Sequence, residues 1–180
     1  TRELKGATLG IIGMGKISKL VVKKLAGFEM NVISSDPFVA QENVGDLSVR
    51  MTSAEEVYQT SDFVVVHTSL TDSTFHLVGE KEFRMMKNSA YFINAARGAV
   101  VDETAMIRAL QEGWIAGAGL DVFEQEPPEV DNPLFSMENV IVSPHNAALT
   151  DQAVLAMGMD SAQGIIDFLE GRVPKYLCNF

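Results

Sequence analysis

Three polar residues stand directly after apolar segments of the sequence and could together move a proton and hold an anion. Arg97 follows the apolar segment 90–95, Glu126 lies in the stretch DVFEQEPP, and His145 follows the run VIVSP. The pKa of a histidine lies near neutrality, which suits it to take a proton from a hydroxyl group. A carboxylate on its other ring nitrogen would fix the tautomer and stabilise the imidazolium, and an arginine can hold a carboxylate through two parallel hydrogen bonds. Hydride transfer between a 2-hydroxy acid and a nicotinamide ring needs this set of groups.

Each of these residues also has an ordinary structural explanation. Arg97 could cap a helix or pair with a surface acid, Glu126 could be one more charge in an acidic loop, and His145 could be a simple loop histidine. The other two histidines, His67 and His76, we predict to be structural. The functional interpretation therefore depends on a fold that brings the first three residues together.

Apolar segments typical of strands alternate with amphipathic helical patterns along the chain. We predict strands at 8–12, 30–34, 48–51, 62–70, 90–95, 115–122 and 140–143. Helices are predicted at 16–28, after Ser53 with a capping box to Glu56, and at 80–86, 102–111 and 150–171. Repeated strand-helix-strand units predict an α/β fold, a Rossmann-type doubly wound parallel sheet in a three-layer α/β/α arrangement. Ligands bind beyond the carboxyl ends of such strands, so we expect Arg97, Glu126 and His145 along one edge.

A glycine turn follows the first predicted strand in the stretch GMGKIS. Gly13 and Gly15 take the first two positions of the G-x-G-x-x-G dinucleotide fingerprint, whereas Ser18 stands at the third. Asp36 lies just after the second predicted strand, where an acid binds the adenosine ribose hydroxyls and repels the extra phosphate of NADP. No arginine follows it before Arg50, so NAD is the predicted cofactor. The alternative for Asp36 is a turn residue ahead of Pro37.

The composition argues against several classes of partner and site. A net charge of −10, from 14 basic and 24 acidic residues, disfavours nucleic acid and anionic membranes as partners. The single cysteine, Cys178, can form no internal disulfide, and the sequence has no Cys/His pattern with zinc spacing, so we predict no metal site and a cytoplasmic location. No apolar run approaches the roughly 18 residues of a membrane span.

The chain begins at Thr1 almost directly on a strand pattern, and we expect it to be an excised fragment.

Five segments in order, GIIGMGKIS, VISSDPF, INAARGAVVDE, GAGLDVFEQEPP and NVIVSPHNAAL, resemble the nucleotide-binding domain of the D-2-hydroxyacid dehydrogenases, the family that includes D-3-phosphoglycerate dehydrogenase. The resemblance covers essentially the whole chain. It implies that Arg97, Glu126 and His145 are catalytic. It also implies contacts to NAD from the residues Gly13, Gly15, Lys16, Ile17, Asp36, Thr68, Ala95, Ala96, Arg97, Asp121 and His145. Two positions depart from the family's pattern: Ser18 replaces the third glycine, and Asn146 stands where an aliphatic residue is usual.

The resemblance further implies the nucleotide-binding domain of a two-domain enzyme. Residues 1–149 would form the NAD-binding domain and residues 150–180 a C-terminal helix with a returning tail, while the N-terminal segment of the substrate domain would be absent. We therefore expect the chain alone to bind NAD weakly or not at all and to turn over no 2-hydroxy acid. We also expect apolar surface on the final helix at Leu155, Met157, Ile165 and Phe168, and a homodimer through the loop 124–138.

The leading functional prediction is interconversion of a 2-keto acid and a D-2-hydroxy acid with NAD(H), on 3-phosphoglycerate or a related small acid. One alternative is an NAD(H)-dependent binding module, because corepressors of the C-terminal-binding-protein type share this fold and the same arginine, glutamate and histidine. A second alternative is formate oxidation. That branch usually carries glutamine at the position of Glu126, so the glutamate here argues against it.

Overall fold

The computed structural model describes residues 3–177, in which seven parallel strands form one sheet with the order β3-β2-β1-β4-β5-β6-β7. The chain first builds outward to β3 and then restarts at β4 on the other side of β1. The strands are β1 (Thr8–Ile12), β2 (Asn31–Ser35), β3 (Arg50–Met51), β4 (Phe63–Val66), β5 (Tyr91–Asn94), β6 (Gly117–Leu120) and β7 (Val140–Val142). This order confirms the doubly wound Rossmann-type fold, and it puts the switch point, where ligands bind, between β1 and β4.

Five α-helices connect or follow the strands. They are α1 (Lys16–Leu25), α2 (Ala54–Thr60), α3 (Glu80–Met85), α4 (Glu103–Gln111) and α5 (Asp151–Leu169). The predicted first helix is shorter than expected, because residues Ala26–Phe28 tighten into a 3-10 turn. The predicted capping box of α2 is only half formed: the Ser53 hydroxyl accepts the Glu56 amide, but the Glu56 carboxylate binds Arg50 and Thr52 instead of the Ser53 amide.

Buried apolar side chains cover both faces of the sheet. On β4, Val64 and Val66 pack into the larger cluster, which includes the edge-to-face pair Phe83 and Phe92, whereas Val65 packs into the smaller cluster. Side chains of successive strand residues point to opposite faces, so the two clusters lie on the two sides of the sheet. A strand buried on both faces explains the continuous apolar run FVVV and confirms the three-layer arrangement.

A buried carboxylate joins the strands at the opposite edge of the sheet, where they begin. The Asp62 side chain, 7% exposed, accepts the Thr8 amide at 2.9 Å and pairs with Lys87 at 2.7 Å. Because Thr8 begins β1 and Asp62 precedes β4, this carboxylate ties two central strands and the segment before β5 together. Its location, remote from the strands' carboxyl ends, indicates a structural role.

The chain divides into two compact units, the first ending at His145 and the second beginning at Asn146. In the second unit, Thr150 caps the start of α5 by accepting the Ala153 amide, and Gly171 follows its end with a φ of 73°, as predicted. Leu155, Met157, Ile165 and Phe168 are all at least half exposed, which confirms the predicted apolar surface. Cys178 and the end of the predicted tail lie outside the described residues. Between residues 3 and 177, no helix has the length and apolar character needed to cross a membrane.

Candidate functional site

A buried asparagine shapes the turn that carries Arg97. Asn94 ends β5, and its side chain accepts the Ala96 amide and donates to the Arg97 carbonyl oxygen, both at 3.0 Å. These two hydrogen bonds close the turn, and Arg97 is extended and exposed at the carboxyl edge of the sheet. An asparagine at a strand end ahead of small residues is the sequence signal for such a turn, and the sequence analysis did not use it.

Gly98 allows the loops after β5 and β6 to touch. A Cβ atom added at this glycine would lie 1.7 Å from the Phe123 carbonyl oxygen and 2.4 Å from the Glu124 amide nitrogen. No side chain fits there, so the glycine is required by the close approach of two backbones. This approach brings the turn of Arg97 beside the loop that carries Glu126.

Glu126 and His145 form a hydrogen-bonded pair at this edge. Glu126 Oε2 lies 2.7 Å from His145 Nδ1, and Glu126 Oε1 accepts the Phe123 amide at 3.1 Å. The side chains remain accessible, with 36% of Glu126 and 49% of His145 exposed. A carboxylate at Nδ1 keeps a proton on that nitrogen, which leaves Nε2 as the ring nitrogen for proton exchange with a substrate.

The surroundings of Glu126 keep its carboxyl group ionised. An apolar cavity of about 360 Å³ lies against the pair, with walls that include Phe123, Pro127 and Phe135. Burial on this side opposes ionisation and would raise the pKa of Glu126. The hydrogen bonds from His145 and the Phe123 amide, with the charges of His145 and Arg97, outweigh it and lower the pKa below its ordinary value. The close approach of Gly98 to Phe123 and Glu124 places the turn that carries Arg97 beside the loop of Glu126, so the structure brings the three predicted residues to the same edge of the sheet.

A glycine turn and the start of α1 form a second polar feature at the carboxyl edge. Gly13 has a φ of 96°, and Gly15 occupies the position before α1, where an added Cβ would meet no other described residue within 4 Å apart from the chain neighbours of the glycine. The first turn of α1 contains no acidic residue. The first amides of the helix, those of Lys16 and Ile17, have no acceptor within the helix, and the helix dipole favours an anion there.

Asp36 lies beside this turn after β2. Its Oδ2 accepts the Met14 amide and its Oδ1 the Phe38 amide, each at 2.8 Å. The contact to Phe38 is the local turn bond that the alternative interpretation expected, whereas the contact to Met14 joins the carboxylate to the glycine turn. Asp36 therefore makes the predicted turn bond and also contacts the glycine turn, while its contact with the ribose stays a prediction.

Comparison with known proteins identifies the family. Residues 1–147 match the NAD binding domain of the D-isomer specific 2-hydroxyacid dehydrogenases. The chain belongs to this family.

Curated relatives and solved structures agree with this assignment. A glyoxylate reductase of Korarchaeum cryptofilum is 42% identical over 98% of this chain and 53% of its own length. A D-3-phosphoglycerate dehydrogenase of Archaeoglobus fulgidus is 41% identical over 94% of this chain and 32% of its own length. The structure of a D-lactate dehydrogenase with NAD+ from Lactobacillus jensenii superposes with a TM-score of 0.91 at 32% identity, covering 100% of this chain and 58% of that one. The chain thus spans about half the length of the first curated relatives it matches.

The residues around the glycine turn fit NAD, the cofactor of this domain family. The Thr68 hydroxyl oxygen is buried without a hydrogen-bond partner among the described residues, and its methyl carbon would lie 3.0 Å from a Cβ at Gly13. An unsatisfied buried hydroxyl costs about 1–3 kcal/mol, which a polar atom of a bound cofactor would recover. This hydroxyl beside the glycine turn supports the predicted contact of Thr68 with the cofactor, which stays a prediction.

The remaining predicted contacts lie farther along the same edge. Two small residues precede Arg97: Ala95 is exposed and Ala96 is half buried. Asp121 is buried after β6, and the Ser143 hydroxyl donates to it at 2.5 Å. That bond joins the end of β6 to the segment before His145. The contact of Asp121 with the nicotinamide end stays a prediction.

Two histidines that were predicted to be structural bind polar partners near the site. His76 Nε2 lies 2.8 Å from Glu124 Oε1, and His67 Nδ1 lies 2.9 Å from the Ser18 hydroxyl. Ser18 is completely buried and also donates to the Gly13 carbonyl oxygen at 2.5 Å. From the sequence, Ser18 is only a departure from the fingerprint, and this hydrogen bond could not be predicted.

Proposed function

We propose that the protein carrying this chain interconverts a small 2-keto acid and the corresponding D-2-hydroxy acid by hydride transfer with NAD(H). The observation that carries the proposal is the Glu126–His145 pair at 2.7 Å, next to Arg97, on the same sheet edge as the glycine turn and Asp36. A proton donor, an anion-binding group and a dinucleotide-binding turn on one edge are what this reaction requires.

In the direction of reduction, His145 acts as the general acid. NAD(H) supplies or accepts the hydride when it is bound. The proton on His145 Nε2 goes to the substrate carbonyl oxygen as the hydride reaches the carbonyl carbon, and the histidine becomes neutral. Glu126 holds the ring in position and stabilises the imidazolium before transfer. Arg97 binds the substrate carboxylate through its guanidinium group and fixes the carbonyl carbon in place.

The relatives support the substrate class. They are named glyoxylate reductase, D-3-phosphoglycerate dehydrogenase and D-lactate dehydrogenase. The substrates in these names all carry a carboxylate next to the reacting carbon. We propose the same arrangement for the substrate here, because Arg97 is an exposed cation beside the proton donor. Asp36, Thr68 and the amides of Lys16 and Ile17 would hold the cofactor.

The test is oxidation of NADH by the protein that carries this chain, with glyoxylate, pyruvate, hydroxypyruvate and 3-phosphohydroxypyruvate as substrates. We expect turnover of at least one 2-keto acid and preference for NADH over NADPH, because the Asp36 carboxylate repels a 2′-phosphate. Binding of NADH without turnover of any 2-keto acid would contradict the proposal and favour an NAD(H)-dependent binding module instead.

We also propose a division of the chain into an NAD-binding domain over residues 1–149 and a C-terminal helix with a returning tail over residues 150–180, a homodimer, and a cytoplasmic location. The loop 124–138 supports the dimer, since Val130 in it is 95% exposed and Phe135 is 46% exposed. Sedimentation equilibrium should give the dimer mass, and Val130→Glu should shift the protein toward monomer. A wild-type monomer at high concentration would count against the dimer.

A further inference from the structure

One peptide group in the glycine turn is held at both of its polar ends. The Gly13 carbonyl oxygen accepts the Ser18 hydroxyl at 2.5 Å, and the amide of Met14 donates to Asp36 Oδ2 at 2.8 Å. These two groups belong to the same peptide unit. A trans peptide is planar, with its C=O and N–H pointing in opposite directions, so fixing the carbonyl also fixes the direction of the amide.

The hydroxyl of Ser18 is fixed in turn by His67. A carbonyl oxygen can only accept, so the single proton of Ser18 Oγ goes to Gly13, and Oγ accepts from His67 Nδ1 at 2.9 Å. Burial lowers the pKa of His67 below its ordinary value and favours the neutral ring. The contacts therefore run from the end of β4, across the turn after β1, to the end of β2, through three neighbouring strands.

The position of the Asp36 carboxylate matters for ribose recognition. Each carboxylate oxygen has about two acceptor positions, and the amides of Met14 and Phe38 use one on each. One acceptor position per oxygen remains, which matches the two neighbouring hydroxyl groups of a ribose. A rotation of the carboxylate away from the Met14 amide would move both remaining acceptor positions away from the ribose hydroxyls.

We infer that Ser18 is a positioning residue for cofactor selectivity: it orients Asp36 through the Gly13–Met14 peptide, and His67 holds it in place. The inference rests on the proposed function, since Asp36 must be the ribose ligand. A glycine at position 18, as the fingerprint prescribes, would leave the Gly13 carbonyl without this donor. The serine that departs from the pattern thus supplies a hydrogen bond that the consensus residue cannot make.

The first measurement compares the affinities of the protein that carries this chain for ADP and 2′-deoxyADP, which differ only in the 2′-hydroxyl. Wild type should prefer ADP by about tenfold or more, the value of a hydrogen bond to a charged group. Ser18→Ala should reduce this preference to about threefold or less. In a protein that already carries Asp36→Ala, adding Ser18→Ala should leave the ratio of the two affinities unchanged. Damage to the turn in general would weaken both nucleotides equally and leave their ratio unchanged.

Ser61→Ala is the matched control. Ser61 is also completely buried and donates to a backbone carbonyl, that of Val57, at 2.6 Å, but it lies at the end of α2, away from the turn. It should lower the melting temperature about as much as Ser18→Ala and leave the nucleotide preference at its wild-type value. A cooperative thermal transition in that measurement confirms that each variant is folded.

The second measurement needs no ligand. In 15N spectra, Ser18→Ala and Asp36→Ala should each shift the Met14 amide and speed its hydrogen exchange, whereas Ser61→Ala should not. A Met14 amide that is unchanged by Ser18→Ala would overturn the inference, as would an unchanged ratio of the two nucleotide affinities. If the wild-type protein that carries this chain binds neither nucleotide, the proposed cofactor site is refuted, and the effect on selectivity with it. The Met14 amide would still decide the linkage between Ser18 and Asp36.

Discussion

Replacement of Gly98 by alanine places a methyl carbon 1.7 Å from the Phe123 carbonyl oxygen, although such contacts are essentially never closer than 3.0 Å. The atoms facing the new carbon are backbone, so no side chain can rotate away and the two loops must separate by more than about 1 Å. Overpacking of this kind costs about 1–3 kcal/mol, and a contact between two backbones belongs at the upper end. For a chain of this length we expect the melting temperature to fall by roughly 5–10 °C.

The same displacement should impair the proposed reaction. Arg97 and Gly98 are adjacent, and the loop that is pushed away carries Glu126, so the guanidinium moves relative to the Glu126–His145 pair. A displacement of about 1 Å can reduce turnover by roughly 100-fold. Thermal denaturation followed by Trp114 fluorescence and steady-state NADH oxidation would measure the two effects. Gly27→Ala is the control, because among residues 3–177 nothing beyond the chain neighbours of Gly27 lies within 4 Å of an added Cβ there. Wild-type stability and turnover in Gly98→Ala would refute the role given to this contact.

Three further predictions concern charged side chains. Arg97→Lys should lower kcat/KM by about 100-fold or more, because an ammonium group cannot form the two parallel hydrogen bonds of a guanidinium; kinetics equal to wild type would disprove the assignment. His145→Ala should raise the pKa of Glu126, measured by 13C NMR, since a hydrogen bond and a charge that lower it are lost. In wild type the lowered pKa means that Glu126 stabilises the folded protein when the pH is above its unfolded pKa of about 4.3. This stabilisation is lost as the pH falls through the pKa of Glu126 in the folded state. Lys87→Met should destabilise the protein by about 2 kcal/mol in urea denaturation, because it removes the ion pair of Lys87 with the buried Asp62 carboxylate, while the partial exposure of Lys87 keeps the loss below that of a fully buried pair.

The sheet and its functional edge could be predicted because their signals are local. The run FVVV marks a strand buried on both faces, and Thr150 and Gly171 mark the two ends of α5. Once the strands are parallel, their carboxyl ends must share an edge, so the meeting of Glu126 and His145 follows from topology. The three residues could therefore be placed together without any knowledge of side-chain geometry.

Contacts between backbone groups far apart in sequence could not be predicted. The requirement for glycine at position 98 arises from the approach of the Phe123 backbone, which lies 25 residues away in the sequence. Ser18 was noted as an imperfect match, because the sequence does not say which carbonyl its hydroxyl reaches. Asn94 was predicted only as part of a strand, because its hydrogen bonds depend on the conformation of the turn that follows it.

The most direct test of the proposed chemistry is the single-turnover rate of hydride transfer from bound NADH to a 2-keto acid in wild type and in His145→Gln. Glutamine keeps a hydrogen-bonding group near Glu126 but cannot donate a proton as an acid. We predict a fall of roughly 10²–10⁴-fold in this rate, the usual contribution of a general acid. Equal rates in the two proteins would contradict the assignment of His145 as the proton donor.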